Sequence, residues 1–152
     1  MISNYWNSEY SGQCCEEKKR KKMKTTTKFF ASLGVIPGYG HENVTDASAV
    51  DIAGNAWQEA AAKVMAASGT YVGAVISPAR TVYNVDWGCP VGGEITVAIT
   101  GECNPEYTKL ADYKSAVVET LRQAALALGQ STTQITFSEV EFKYLDFRPK
   151  SE

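Results

Sequence analysis

The sequence predicts an α+β fold built from six alternating elements, β-α-β-β-α-β, over residues 25–152. Three observations carry that expectation. Two long segments place apolar residues at helical spacing, at Val50, Ala53, Trp57, Ala61 and Val64 and again at Leu110, Tyr113, Val117, Leu121, Ala124 and Leu128. GEITVAITG alternates Ile95, Val97 and Ile99 with Glu94, Thr96, Ala98 and Thr100, the period-2 signature of a strand with one buried face. DWGCPVGG, residues 86–93, holds three glycines and a proline between two strand-like arms, so the chain must reverse there.

Each element follows in order. KFFASLGVI, residues 28–36, has the aromatic and β-branched character of a strand. PGYGHENVTD, residues 37–46, reads as a loop. Thr45 or Asp46 caps the first helix and Gly69 ends it. Residues 70–85 and 93–101 form a hairpin, and Pro78 confines the first arm to a sheet edge or a bulge, because proline cannot donate to a ladder. Asn104 and Pro105 are expected to cap and open the second helix, and Gly129 to close it. Residues 133–147 form the last strand, in which Ile135 and Phe137 have one parity and Val140, Phe142 and Tyr144 the other. A β-bulge near Ser138–Glu139 would turn all five inward. Short connections and right-handed crossovers then favour a ferredoxin-like sandwich: a four-stranded antiparallel sheet with both helices on one face.

Composition limits the function. With 44% hydrophobic and 21% charged residues, the 152-residue chain has ordinary globular proportions. No apolar run approaches the ~20 residues that span a bilayer, and four unpatterned cysteines suit a reducing interior, so a soluble cytoplasmic protein is expected. Residues 1–24 carry six Lys/Arg against three Glu, and residues 25–152 nine against fourteen Asp/Glu. The body is therefore acidic and repels polyanions, which argues against nucleic acid as a partner. EEKKRKKMK, residues 16–24, closes a segment without apolar periodicity. Residues 1–24 are read as a disordered or non-native tail. Met23 resembles a natural start preceded by a translated bacterial ribosome-binding site.

Two helices on one face leave the other sheet face bare. Its apolar residues suggest self-association, with Thr96, Thr100 and Thr136 making it partly polar. The topology also gathers loop 37–46, turn 86–93 and loop 129–132 at one rim, which brings together His41, Glu42, Asp86, Trp87 and Cys89. His41 is the single histidine and Cys89 a thiol that a nearby base would activate, so these two are the catalytic candidates. Arg80, Glu42, Asp86 and Trp87 are the ligand-binding candidates, Arg80 through the planar fork that suits a carboxylate. Cysteine and glycine spacings match neither a zinc site nor a dinucleotide fingerprint, so no metal or cofactor is expected.

PARTVYNVDWGCPVGGEITVAI, Pro78 to Ile99, resembles the late hairpin of the YjgF/RidA family of small trimeric enamine/imine deaminases. The resemblance implies that Arg80 clamps a substrate carboxylate and that an acidic residue follows on the next strand. That position falls near Thr96 or Val97, neither of them acidic, and the element order differs, so the likeness stays local to these 22 residues. Two function classes follow: a self-associating binding or assembly module without catalysis, and a small enzyme acting on a carboxylate-bearing metabolite at the rim.

Overall fold

The computed structural model describes residues 23–36 and 44–151. Strand β1 (Lys24–Gly34) leads to helix α1 (Asp46–Ser68), strand β2 (Val75–Thr81), a single 3-10 turn (Val85–Trp87), strand β3 (Glu94–Glu102), helix α2 (Leu110–Ala127) and strand β4 (Gln134–Phe142). The sheet order is β2-β3-β1-β4 with every pairing antiparallel. This is the ferredoxin-like order, and β1 begins at Lys24, inside the segment read from sequence as a tail.

Helix α1 starts on a capping box: the Ser48 N–H donates to the Thr45 hydroxyl at 3.1 Å, and the Thr45 N–H donates to the Ser48 hydroxyl at 2.9 Å. It ends at Gly69, whose φ of 73° is left-handed. Its buried stripe is mostly alanine, at Ala49, Ala53, Ala56 and Ala60, with Trp57 and Val64 as the large members. Small residues let the helix lie close to its neighbours, and Trp57 fills the space that remains. Helix α2 buries Tyr113, Ala116, Val117, Thr120, Leu121, Ala124 and Ala125. The Thr120 hydroxyl donates back to the Ala116 carbonyl at 2.8 Å, which removes the cost of burying it.

The core centres on Phe29, fully buried on the helix-facing side of β1. Its ring stacks on Trp57 at 5.8 Å and meets Tyr113 at 6.3 Å in a tilted arrangement. Across the ladder from Phe29 stands Gly101. A Cβ on Gly101 would lie 2.6 Å from the Gly73 carbonyl oxygen and 2.8 Å from the Phe29 ring, so a glycine is what admits the ring.

Three local expectations give way. The second helix does not begin at Pro105. The Asn104 side chain accepts from the Glu106 N–H at 3.0 Å and its carbonyl from Tyr107 and Thr108, which closes a separate turn, and α2 starts at Leu110 without a side-chain cap. Leu110 is consequently exposed rather than part of the seam. β4 has no bulge: its pairing with β1 runs unbroken from Lys24↔Phe142 to Ser32↔Gln134. Ile135 and Phe137 therefore face the helices, while Val140 and Phe142 fall on the opposite face. Pro78 is accommodated as expected, on the edge strand β2.

Among the described residues no helix is long and apolar enough to cross a membrane. The packing around Phe29 sets a stability expectation. Phe29→Ala costs about 3–5 kcal/mol, and Gly101→Ala costs about 1–3 kcal/mol by crowding the same ring, both read from urea denaturation midpoints.

Candidate functional site

The antiparallel order puts the C-terminal ends of β1 and β2 and the start of β3 and β4 at one edge of the sheet. The strand ends that lead into the expected rim therefore share one edge, while residues 37–43, with His41 and Glu42, lie outside the described residues. Register decides which face each rim residue takes. Thr81 pairs with Glu94 and Ala79 with Thr96, so Thr81, Glu94 and Thr96 project on the open side, opposite the helices. Ser32 joins them from β1 and Gln134, its ladder partner, from β4.

These residues, with Leu33, Gly34, Gln130, Thr132 and Thr133, line a cleft of about 430 Å³. Apart from Leu33 and Gly34 its walls are hydroxyls and carboxamides around one carboxylate, that of Glu94. Thr81 and Thr96 share a hydrogen bond between their hydroxyls at 3.1 Å. The Tyr83 hydroxyl donates to Glu94 Oε1 at 2.7 Å, which orients the half-buried carboxylate and leaves it acceptor capacity for a ligand. The Gln130 carboxamide donates to the Ile36 carbonyl at 3.0 Å and lies against Gly34, tying the loop after α2 to the end of β1. The arrangement is suited to a polar ligand with a cationic group.

Gly93 is what lets the hairpin close over this cleft. Its φ is 94°, and a Cβ there would sit 2.8 Å from the Val82 side chain and 3.1 Å from the Thr81 carbonyl. The arm carrying Tyr83 can then fold beside Glu94.

The residues nominated from sequence are dispersed. Arg80 pairs in the ladder with Ile95, which puts it on the helix side of β2, where its guanidinium meets Asp46 Oδ1 at 3.0 Å at the start of α1. Asp86 lies in the 3-10 turn, its N–H donating to the Asn84 side chain at 2.9 Å. Trp87, 77% exposed, stands at the tip. Cys89 is buried behind the end of β2, with its thiol 3.8 Å from the Thr81 carbonyl oxygen and 3.4 Å from that of Pro90. Among the described residues no cluster of three or more His, Cys, Asp or Glu could hold a metal ion.

Glu94 and Tyr83 were not singled out by the sequence reading. The signal for them was present, since strand arms reversing through a turn centred near residues 87–88 oppose Thr81 to Glu94 and bring Tyr83 beside that carboxylate.

The family model for SAM lyase matches residues 23–146. No curated protein matches the chain, and no solved structure does.

The Arg80–Asp46 pair is roughly half exposed on both sides. Arg80→Ala should therefore cost less than about 1 kcal/mol of stability, measured by urea denaturation.

Proposed function

The chain belongs to the SAM lyase family, and from that premise we propose that it cleaves S-adenosylmethionine, with the cleft around Glu94 as the place where the substrate binds. The observation that carries the placement is the Glu94 carboxylate, held by Tyr83 within a wall of hydroxyls and amides. S-adenosylmethionine bears an ammonium, a carboxylate, a sulfonium and a polar nucleoside, and that wall suits the polar groups. The alternative read from sequence, a small enzyme for a carboxylate-bearing metabolite at the rim, is of the same kind.

A lyase breaks its bond without water, and the weak bond here is carbon–sulfur, because sulfur leaves as a neutral thioether. The route that needs no external base is internal. The substrate's own carboxylate oxygen attacks the γ carbon, a C–O bond forms, the C–S bond breaks, and its electron pair goes to sulfur. The products are a five-membered cyclic ester and methylthioadenosine. Positive sulfonium and negative carboxylate cancel as the reaction proceeds, so a site that excludes water favours the transition state.

This charge balance assigns a role to Glu94. A fixed carboxylate beside the sulfonium would stabilise a charge that is disappearing and so would hold back the reaction. Beside the ammonium, whose charge persists, it binds ground and transition states alike and aims the carboxylate at the γ carbon. Glu94 is thus placed as the ammonium ligand and Tyr83 as its positioning residue. Nothing in this scheme asks Cys89, His41 or Arg80 to touch the reacting atoms.

Self-association through the open sheet face belongs to the same proposal. Phe30, 50% exposed, and Val75, 67% exposed, lie on that face with Ala98 and Thr100. The cleft opens at its end, so a second copy seated there would help to exclude water.

The test is turnover of S-adenosylmethionine followed by chromatography of the thioether. Glu94→Gln should raise KM by about 10–100-fold, equivalent to about 1.4–2.7 kcal/mol, with a smaller change in kcat and an unchanged melting temperature. Cys89→Ser and His41→Ala should keep turnover, and loss in either would move the chemistry to that residue. Saturable binding without product would return the chain to a non-catalytic binding module, and no binding at all would sink the placement. Separately, sedimentation of the full chain should show an oligomer that Phe30→Asp or Val75→Asp dissociates; a wild-type monomer would remove the interface.

A further inference from the structure

The two edges of the sheet are unlike. β2 carries Pro78 at its centre, and a residue without an N–H interrupts any further ladder on that side. β4 is nine residues long, pairs with β1 along its whole length and holds no proline. The phase of the hydrogen bonds tells which of its backbone groups are left over. The Cys103 N–H donates to the Thr27 carbonyl at 2.9 Å, so the odd residues of β1 bond to β3 and its even residues to β4. The even residues of β4 are thereby used, and Ile135, Phe137, Glu139 and Glu141 turn their N–H and C=O groups outward.

An open edge of this length accepts another strand. A second copy of β4 can pair with it about a two-fold axis, antiparallel and with both helix layers on one side, when the axis passes beside a residue. Few registers are admissible. Centred on Glu139, the axis sets two carboxylates directly opposite each other. Centred on Phe137, it leaves Glu141 opposite a residue beyond the end of the strand. Centred on Ser138, the middle of β4, it sets Ile135 opposite Glu141 and Phe137 opposite Glu139, so every outward residue of both copies is bonded.

Charge favours the Ser138 register. Lys114 Nζ stands 5.4 Å from the centre of the Phe137 ring. Glu139 of a second copy, lying across from that ring, comes beside the ammonium. Lys114 and Glu139 are both exposed, and among the described residues neither is in an ion pair. Apolar surface continues beside the edge: Val118 and Leu126, 45% and 58% exposed, border a groove of about 190 Å³ that reaches Ile135.

We propose that β4 is a docking edge for a second copy of this chain, paired antiparallel about Ser138 with Glu139 of each copy against Lys114 of the other. Two four-stranded sheets then join into one. This contact is separate from the open sheet face and from the Glu94 cleft, and it stands whether or not either of those readings holds.

The test places a cysteine on the axis. Directly opposed residues that share no hydrogen bond have Cα atoms about 4.5 Å apart, within disulfide reach. The background is the full chain with Cys14→Ser and Cys15→Ser, since Cys89 and Cys103 are buried. Mild oxidation of Ser138→Cys should give a covalent dimer on a non-reducing gel. Thr136→Cys and Val140→Cys should each give none alone and cross-link when mixed. Glu139→Lys should abolish the Ser138→Cys cross-link, and Lys114→Glu in the same chain should restore it. Phe30→Asp should leave it in place, and its loss there would assign the contact to the open face and overturn the edge. No dimer from Ser138→Cys, or an equal yield from Thr136→Cys alone, would overturn the proposal and leave the edge to a strand of another protein or to solvent. A cross-link indifferent to Glu139→Lys would overturn the pairing with Lys114.

Discussion

The fold depends on one ring finding room. Phe29 sits at the crossing of every layer: it belongs to a central strand, stacks on Trp57 of α1 and meets Tyr113 of α2. An aromatic that large on the inner face of a sheet displaces its cross-strand neighbour, and that neighbour is Gly101. The missing side chain lets the ring lie flat over β3 while the Gly73 backbone closes from the other side. Both helices take their positions from the same ring, so their shared placement on one side of the sheet follows from a local steric fact. The alanine stripe of α1 is the complement. With Trp57 as its large projection, the remaining contacts have to be small for the helix to approach.

The elements were legible because their signals are local. Helical spacing, the Thr45 cap, Gly69 and the edge position of Pro78 each rest on short-range chemistry, and together they leave a single favoured topology. The failures came where sequence offered two local solutions. Asn104-Pro105 suits a helix start and a free-standing turn equally, and the turn prevails because the Asn104 side chain and carbonyl are both consumed by it. In β4 the change of apolar parity at residues 138–139 suggested a bulge, on the assumption that every apolar residue turns inward. The unbroken ladder instead sends Val140 and Phe142 to the open face, which already carries Phe30 and Val75. An apolar residue outside the core is ordinary, because much of any folded surface is apolar.

The site was less legible than the fold for a reason of method. Searching by reactive residue type leads to His41 and Cys89. The carboxylate that the structure places in a cleft looks, in sequence, like the polar half of an alternating strand. The likeness to the YjgF/RidA hairpin directed attention to an acidic residue near positions 96–97, and Glu94 stands a short step earlier on the same face as Thr96. What distinguishes Glu94 is its company: Tyr83 on its oxygen, the Thr81–Thr96 pair beside it, and the carboxamides of Gln130, from the loop after α2, and Gln134, from β4. None of these relations is short-range except through the hairpin, so register had to be known first.

Register is therefore where fold and chemistry meet. A slip of one residue between β2 and β3 would carry Glu94 to the helix side and put Ile95 in the cleft. Two features resist it. Val97 and Ile99 are fully buried, so a slip would carry both away from the helices and turn Thr96 and Thr100 toward them in their place. The turn is fixed as well, because Gly93 can hold its left-handed conformation against Val82 and the Thr81 carbonyl only where no side chain intrudes. Moving any other residue of the following strand into that position introduces a Cβ into occupied space. The same hydrophobic row that stabilises the sheet thus fixes the Glu94 carboxylate on the open face, held in place by residues that never touch it.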